Sequence, residues 1–309
     1  MIIGMKTPLE NAFDFRQSSH WADYMRSIGW EIETTKGIQI YIRKVPWIGS
    51  FIKIQHPLGT IPFKTIDALA QKHHAIWVII EPHISGYNHS LFLKNGYYIS
   101  SMHHAPTATR KINISKSISE IVRDFSENAK RNIKKAEKNK AVIKTVFGKD
   151  DKDNTYFEHF YKLQKNLTDM KKFYAPGYSE SKKKYAALKP ASFFVFAYVD
   201  KIPIAGVWYG YYNGMVTYLQ TGITRKGYDL MANYLLVLEG IKTGKKLKCN
   251  VFDFESIYDE RYPKESKRWK GYTEFKSRFH GEKVLYPPSW IKFYNPIFRW
   301  FYNFSKPFI

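Results

Sequence analysis

Chemistry has few places to reside in this 309-residue chain. The sequence contains no GxxxxGK(S/T) phosphate loop, no GxSxG nucleophile elbow and no HExxH zinc helix, so the usual nucleotide, serine-hydrolase and zinc-peptidase machinery is missing. The ten histidines include two adjacent pairs, His73/His74 and His103/His104. Helix neighbours point to different faces, so neither pair has the spacing of metal ligands, and no metal is expected. The lone cysteine, Cys249 in KCNVFDF, cannot form an intramolecular disulfide and reads as buried and inert. What remains is a set of carboxylates closing apolar runs, Glu81 in IWVIIEP and Asp253 and Glu255 in VFDFE, and a basic, aromatic segment GYTEFKSRFHG. On residue type alone, Lys276 in that segment is a surface lysine. The stretch QTGITRKGYDL places a glycine turn between strand and helix, where helix amides could take an acyl-CoA pyrophosphate. It lacks the R/Q-x-x-G-x-G/A spacing usual at such sites.

The elements that must position these residues follow from periodicity. QSSHWADYMRSIGWE reads as a helix capped by Ser18 or Ser19, with Trp21, Met25 and Ile28 on one face and Gly29 at its end. IQIYIRKV and FIKIQHPLG alternate at period two and form paired strands; a helix near residues 64 to 74 then leads to the continuously apolar IWVIIEP. From Ser117 a 3.6-residue apolar stripe runs through Ile118, Ile121, Phe125, Ala129, Ile133 and Ala136, with Ser117 and Glu120 spaced as a capping box. The polar stretch VFGKDDKDNT marks the domain boundary. Three strands in the second half, turning at Asp200–Lys201 and Asn213–Gly214, precede a helix beginning at Asp229 and closing at Gly244. In each half a hairpin, a glycine turn (Gly59; Gly222) and a helix lead to a strand ending in carboxylates, as expected of two copies of one fold.

The balance of 49 Lys and Arg against 27 Asp and Glu gives a net charge of +22, yet 44% of residues are apolar and 17% aromatic. A disordered basic tail is excluded by that apolar content, and a partner rich in anions or membrane headgroups is indicated. No stretch reads as a secretory leader or a membrane span, so the expected compartment is the cytoplasm.

Taken in order, QSSHWADYMRSIGW, RKVPWIGSFIKIQHPLG with WVIIEP, TRKINISKSISEIVRDFSENAKRNIKKAEKN, IPIAGVWYGYYNGMVTYLQTGITRKGYDLMANYLLVLEGIK and GYTEFKSRFHGEKVLYP resemble the Fem-type (FemABX) aminoacyltransferases. The resemblance spans residues 17 to about 286, and RNIKKAEKN and GYTEFKSRFHG carry most of its specificity. It implies an α/β fold of mixed sheets in two tandem GNAT-like domains, residues 1–149 and 150–286, followed by an aromatic and basic tail, 287–309, that packs back on the first domain. No heptad insertion occurs between 175 and 190, so the coiled-coil arm of some relatives is not expected. Two departures stand out: Lys140 and Ala141 take the place of a glycine that usually follows the asparagine, which bears on the turn into the next strand, and FDFESIYDERYP replaces a glycine pair, which bears on cleft shape and acceptor choice.

The resemblance also implies a reaction, transfer of an aminoacyl group from aminoacyl-tRNA to the side-chain amine of a peptidoglycan precursor, UDP-MurNAc-pentapeptide or lipid II, with no cofactor. The donor ester is already activated, so the protein supplies position, up to about 7 to 11 kcal/mol of the barrier, and charge at the developing oxyanion, about a hundred- to a thousandfold in rate. By resemblance Lys276 stabilises the oxyanion and the Phe275 carbonyl holds the attacking ammonium. Acceptor phosphates fall to Arg26, Lys171 and Lys172. Glu81 either orients the acceptor amine or pairs with a nearby lysine, and Tyr218 and Gln220 are further acceptor contacts. Arg131, Lys134, Lys135 and Lys138 form either a tRNA footprint or a solvated helix face. The tail, nine aromatics and three cations without an acid, either packs on the first domain or meets the inner membrane surface. An N-acyltransferase of the same fold using acyl-CoA is the competing reading. Oligomeric state is not indicated.

Overall fold

The computed structural model describes Leu9 and residues 12–139, 141–172 and 175–305, the side chains of 303–305 excepted; Lys140 and the last four residues of the tail thus lie outside the description. The elements in chain order are α1 (Ser19–Ser27), β1 (Glu31–Thr35), β2 (Ile38–Val45), β3 (Gly49–Gln55), α2 (Phe63–Lys72), β4 (Ala75–Glu81), α3 (His89–Lys94), β5 (Tyr98–Ile99), β6 (Ala108–Asn113), α4 (Ile118–Arg123), α5 (Glu127–Lys138) and β7 (Val142–Phe147). They continue with α6 (Thr155–Lys171), α7 (Tyr178–Leu188), β8 (Ser192–Val199), β9 (Ile202–Tyr212), β10 (Met215–Ile223), α8 (Arg225–Asp229), α9 (Ala232–Lys246), β11 (Val251–Ser256), α10 (Pro263–Ser266), α11 (Lys270–Ser277), β12 (Glu282–Leu285), β13 (Trp290–Phe293) and α12 (Pro296–Ser305).

These form two compact units, one of residues 16–107 with 285–309 and one of 1–15 with 108–284. The first holds a six-stranded sheet ordered β1-β2-β3-β4-β13-β5, antiparallel except where β3 runs parallel to β4. In its core Ile40, Ile42, Ile52, Ile54, Val78 and Ile80 fill alternate positions and pack against Ile66 and Ala70 of α2, joined by Phe63, Phe92, Tyr97 and Trp290. The chain end returns to this unit, because β13 pairs with β4 and β5 and buries Trp290 and Ile291.

The second unit holds a seven-stranded sheet ordered β12-β6-β11-β10-β9-β8-β7, in which β10 and β11 run parallel and the ladders β6–β11, β9–β10, β8–β9 and β7–β8 are antiparallel. In β8, SFFVFAYV is buried on both faces for its first six residues, which explains its unbroken apolar run. Both sheets are mixed, and each unit repeats the hairpin, helix and parallel-strand plan read in the sequence.

Three expectations change. The unit boundary lies at 107/108 rather than 149/150, because β6 pairs with β11 and draws residues 108–147 into the second unit. The long helix from Ser117 is two, α4 and α5: the Ser117–Glu120 capping box starts the first, and Ser126 caps the second by accepting from Ala129 N at 3.2 Å. Gly244 lies inside α9 rather than at its end, where a Cβ would meet Val216 at 2.8 Å, and Leu247 is the C-cap. The stretch from 175 to 190 holds α7, of eleven residues, and no longer arm.

Candidate active site

In the second unit the parallel strands β10 and β11 both break regularity just past the end of their shared ladder, Thr217 opposite Asp253. β10 has a register shift between Tyr218 and Gln220, and β11 one between Asp253 and Ser256. Glu255 takes a left-handed φ of 62°, a conformation costly for a residue with a Cβ. Asp253 of β11 itself and Thr109 of the neighbouring β6 hold it there. Asp253 Oδ1 accepts the Glu255 amide at 2.7 Å and the Thr109 hydroxyl, which also donates to the Glu255 carbonyl at 2.9 Å. Lys111, itself buried, puts its Nζ 4.0 Å from Asp253 Oδ2 and 3.4 Å from the Leu9 carbonyl.

This bulge turns the Ser256 carbonyl toward α11, where it accepts Lys276 Nζ at 2.7 Å. Lys276 is therefore not the surface lysine its residue type suggests: it is 6% exposed, with its Nζ 5.8 Å from the centre of the Tyr218 ring. Burial pushes its pKa down to about 8, against the opposing pull of Glu255 and then Asp253. Phe275 faces the other way and joins Tyr234 and Phe279, each with ring centres 5.2 Å away. Its carbonyl accepts the Arg278 amide at 3.2 Å, closing the last turn of α11. Tyr218 packs against Tyr209 and Phe254, and burial raises its pKa.

Two residues missed in the sequence extend this site. Tyr272 and Tyr228, both half-buried, lie within electrostatic reach of each other and of Tyr218, and Lys171 sits 5.6 Å over the Tyr228 ring. Lys172, next to Lys171, is exposed and caps α6 with a φ of 51°. Gln220 is half-buried beyond the bulge of β10. On α5, Arg131, Lys134, Lys135 and Lys138 share the exposed face, opposite the buried Ala129, Ile133 and Ala136. At QTGITRKGYDL the amides that would face a pyrophosphate have partners: Gly227 N donates to Thr224 Oγ1 at 3.2 Å and Tyr228 N to the Thr224 carbonyl at 3.1 Å. Cys249 is buried, and burial raises its pKa to about 11.

In the first unit, Glu81 ends β4 on the same sheet face as Lys53 and Gln55 of β3, with Gln55 directly opposite it. Buried to 3% exposure, it accepts two backbone amides on Oε1, from His104 at 2.5 Å and Ala105 at 2.7 Å. Among the described residues, Glu81 Oε2 has no hydrogen-bond partner, and neither does the buried Gln55 Oε1. Lys53 is the lysine near Glu81: burial pushes it down to about 8, Glu81 draws it back up, and Arg16 opposes. Its Nζ stands 4.4 Å over the Trp30 ring. His104 is lowered by burial, against Glu81. Lys53 could have been found as the one charge within the apolar alternation of FIKIQ. Arg26 stands in the last turn of α1, exposed and bonded to Asp23 at 2.7 Å. No group of three or more His, Cys, Asp or Glu among the described residues is placed to hold a metal ion, and no described helix is long and apolar enough to cross a membrane.

Residues 123–270 match the model of the acetyltransferase (GNAT) domain. FemX is similar in structure over 94% of both chains, with a TM-score of 0.78 at 14% identity. L-PGS from Bacillus licheniformis is similar with a TM-score of 0.60 at 12% identity, over 91% of this chain and 89% of that one. The C-terminal domain of a lysylphosphatidylglycerol synthetase candidate from Agrobacterium fabrum gives 0.64 at 10% identity, over 89% and 87%. No curated protein matches the sequence. At these identities the likeness to solved structures is one of fold. The chain thus carries a stretch matching the acetyltransferase (GNAT) domain within a FemABX-like fold of two tandem GNAT-like domains.

Proposed function

We propose that the protein transfers an aminoacyl group from aminoacyl-tRNA to the side-chain amine of a peptidoglycan precursor, soluble or lipid-linked. The buried Lys276, its ammonium held by the Ser256 carbonyl at the bulge of β11 and close to the Tyr218 ring, is the observation that carries this reading. In the reaction the acceptor amine loses a proton and attacks the ester carbonyl, a C–N bond forms, and the carbonyl oxygen becomes anionic. Collapse breaks the bond to the ribose oxygen of the tRNA, which takes up a proton as it leaves. No covalent enzyme intermediate is required. A protonated Lys276 donates to the transient oxyanion from a dry site, where such a bond counts for more than in water.

Lys171 and Lys172 of the second unit and Arg26 of the first offer cations for acceptor phosphates, and the exposed face of α5 offers Arg131, Lys134, Lys135 and Lys138 to the tRNA backbone. Glu81 offers its unpartnered Oε2 to a cationic amine. The acyl-CoA alternative draws support from the matched GNAT domain, but the bonded amides of Gly227 and Tyr228 weigh against a pyrophosphate there.

The protein mixed with charged tRNA and a muramyl-pentapeptide precursor should yield product heavier by one amino-acid residue. Absence of that product, together with thermal stabilisation by a CoA ester, would replace tRNA with CoA as the donor.

A further inference from the structure

Large apolar side chains stand in solvent at one end of the six-stranded sheet. The turn joining β2 to β3, Pro46-Trp47-Ile48, closes through Ile48 N donating to the Val45 carbonyl at 3.2 Å. Trp47, at a φ of 66°, is 105% exposed, so its ring touches essentially nothing. The same end of the sheet launches α12. Ser50 beside the turn pairs with Ala75, and one residue on, the Ile76 carbonyl accepts Tyr294 N at 2.9 Å, just before Pro296.

Helix α12 is two-faced. Phe298 meets Trp77 edge-on at 6.4 Å, and Tyr302 is buried, its hydroxyl accepting Ser101 N at 2.8 Å. These contacts fix the opposite stripe outward. Ile297, Trp300 and Phe301, spaced i, i+3 and i+4, each expose more than half their surface, and Ile48 on the turn exposes half. Both elements sit in stretches without an acid: residues 34–66 carry Lys36, Arg43, Lys44, Lys53 and Lys64, and residues 287–309 carry Lys292, Arg299 and Lys306. The nearest carboxylates, Glu31, Glu33 and Asp67, are engaged by Lys44, Lys72 and Lys292 at 2.6, 2.8 and 2.8 Å, and His73 also faces Glu31 and Glu33.

We propose that this end of the sheet docks on a bilayer rich in anionic phospholipid, with Trp47 of the turn and Trp300 of α12 seated at headgroup depth. Indole rings favour that depth, and an amphipathic helix beside cations is the usual form of an interfacial anchor. A second copy of the chain is disfavoured as the occupant, since two bodies of +22 repel. The proposal does not depend on which acyl donor or acceptor the protein uses.

The full chain, without tRNA or acceptor, is sedimented with vesicles of phosphatidylglycerol and phosphatidylcholine or of phosphatidylcholine alone. Wild-type protein should pellet with the anionic vesicles and show blue-shifted tryptophan emission. The double variant Trp47→Ser/Trp300→Ser should partition about tenfold or more weakly. Should Trp300→Ser disturb folding, Trp47→Ser alone keeps the test, because that side chain supports nothing in the fold. Binding of the double variant equal to wild type would reduce the effect to charge and overturn the proposal. So would wild-type protein left in the supernatant, or a vesicle-independent dimer of the wild type that the variant loses.

Discussion

Where the ladder between β10 and β11 ends, a lysine from a following helix is buried beneath a tyrosine and the nearby carboxylate is spent on the backbone and on Lys111. Where β3 and β4 end, the carboxylate itself is the buried group, held by two amides on one oxygen and left open on the other, while the lysine stays half-buried against Trp30. Both lysines are pushed down to about 8 by burial, so pKa does not separate the two sites. Partnering does. The second unit presents a cation at the end of a built chain of contacts, suited to an oxyanion; the first presents an anion with an open lone pair, suited to an ammonium. The same plan, duplicated, has been fitted to opposite charges.

The largest expected effect tests that division directly. Lys276→Met should lower turnover about a hundredfold, measured as aminoacyl transfer, with the fold retained by circular dichroism; an equal loss of turnover in Glu81→Gln would break the division. Turnover that depends on protonated Lys276 should fall as pH rises through about 8. The stability contribution runs the other way. A folded Lys276 releases its proton near 8 and an unfolded lysine near 10.5, so stability from this group rises with pH across that interval and is lowest below it, as denaturant titrations should report.

Asp253→Asn should cost about tenfold in turnover, since it loosens the bulge that aims the Ser256 carbonyl. Asp253 also raises the Lys276 pKa, so its loss should move the alkaline limb to lower pH. A merely structural role would lower the melting midpoint and leave that limb in place. Glu81→Gln keeps an acceptor for the His104 and Ala105 amides but loses the charge; the acceptor KM should rise about tenfold with kcat nearly kept. Lys53→Met should change turnover least, by less than about threefold, and a larger fall would give the first unit a share in catalysis.

The sequence carried the strands and the carboxylates at their ends because apolar runs and their terminators are local signals. IWVIIEP became β4 and VFDFE became most of β11. It could not reveal that β6 crosses to pair with β11, a long-range choice that moved the domain boundary from 149/150 to 107/108. The burial of Lys276 was equally hidden. GYTEFKSRFHG has the composition of a surface helix, and only the bulge at Glu255, set by Thr109 and Asp253, provides a carbonyl deep enough to receive the ammonium. Lys53 left a faint trace, the lone charge within the alternation of FIKIQ, whereas Lys111, beside Arg110 in ATRKIN, left none. Nothing local marked Tyr228 and Tyr272 as neighbours, since α9, β11 and α10 intervene between them.

The hairpin turn and Glu81 lie at opposite ends of the same two strands. β3 and β4 each run seven residues, so the open carboxylate stands about 20 Å from Trp47. With the turn resting on lipid, strand length would act as a stilt that sets the working height of the amine seat. Lengthening β2 and β3 by two residues each preserves which side chains face inward and raises that seat by about 7 Å. An acceptor tethered to the bilayer should then be used less well, while one diffusing freely in water should be used as before.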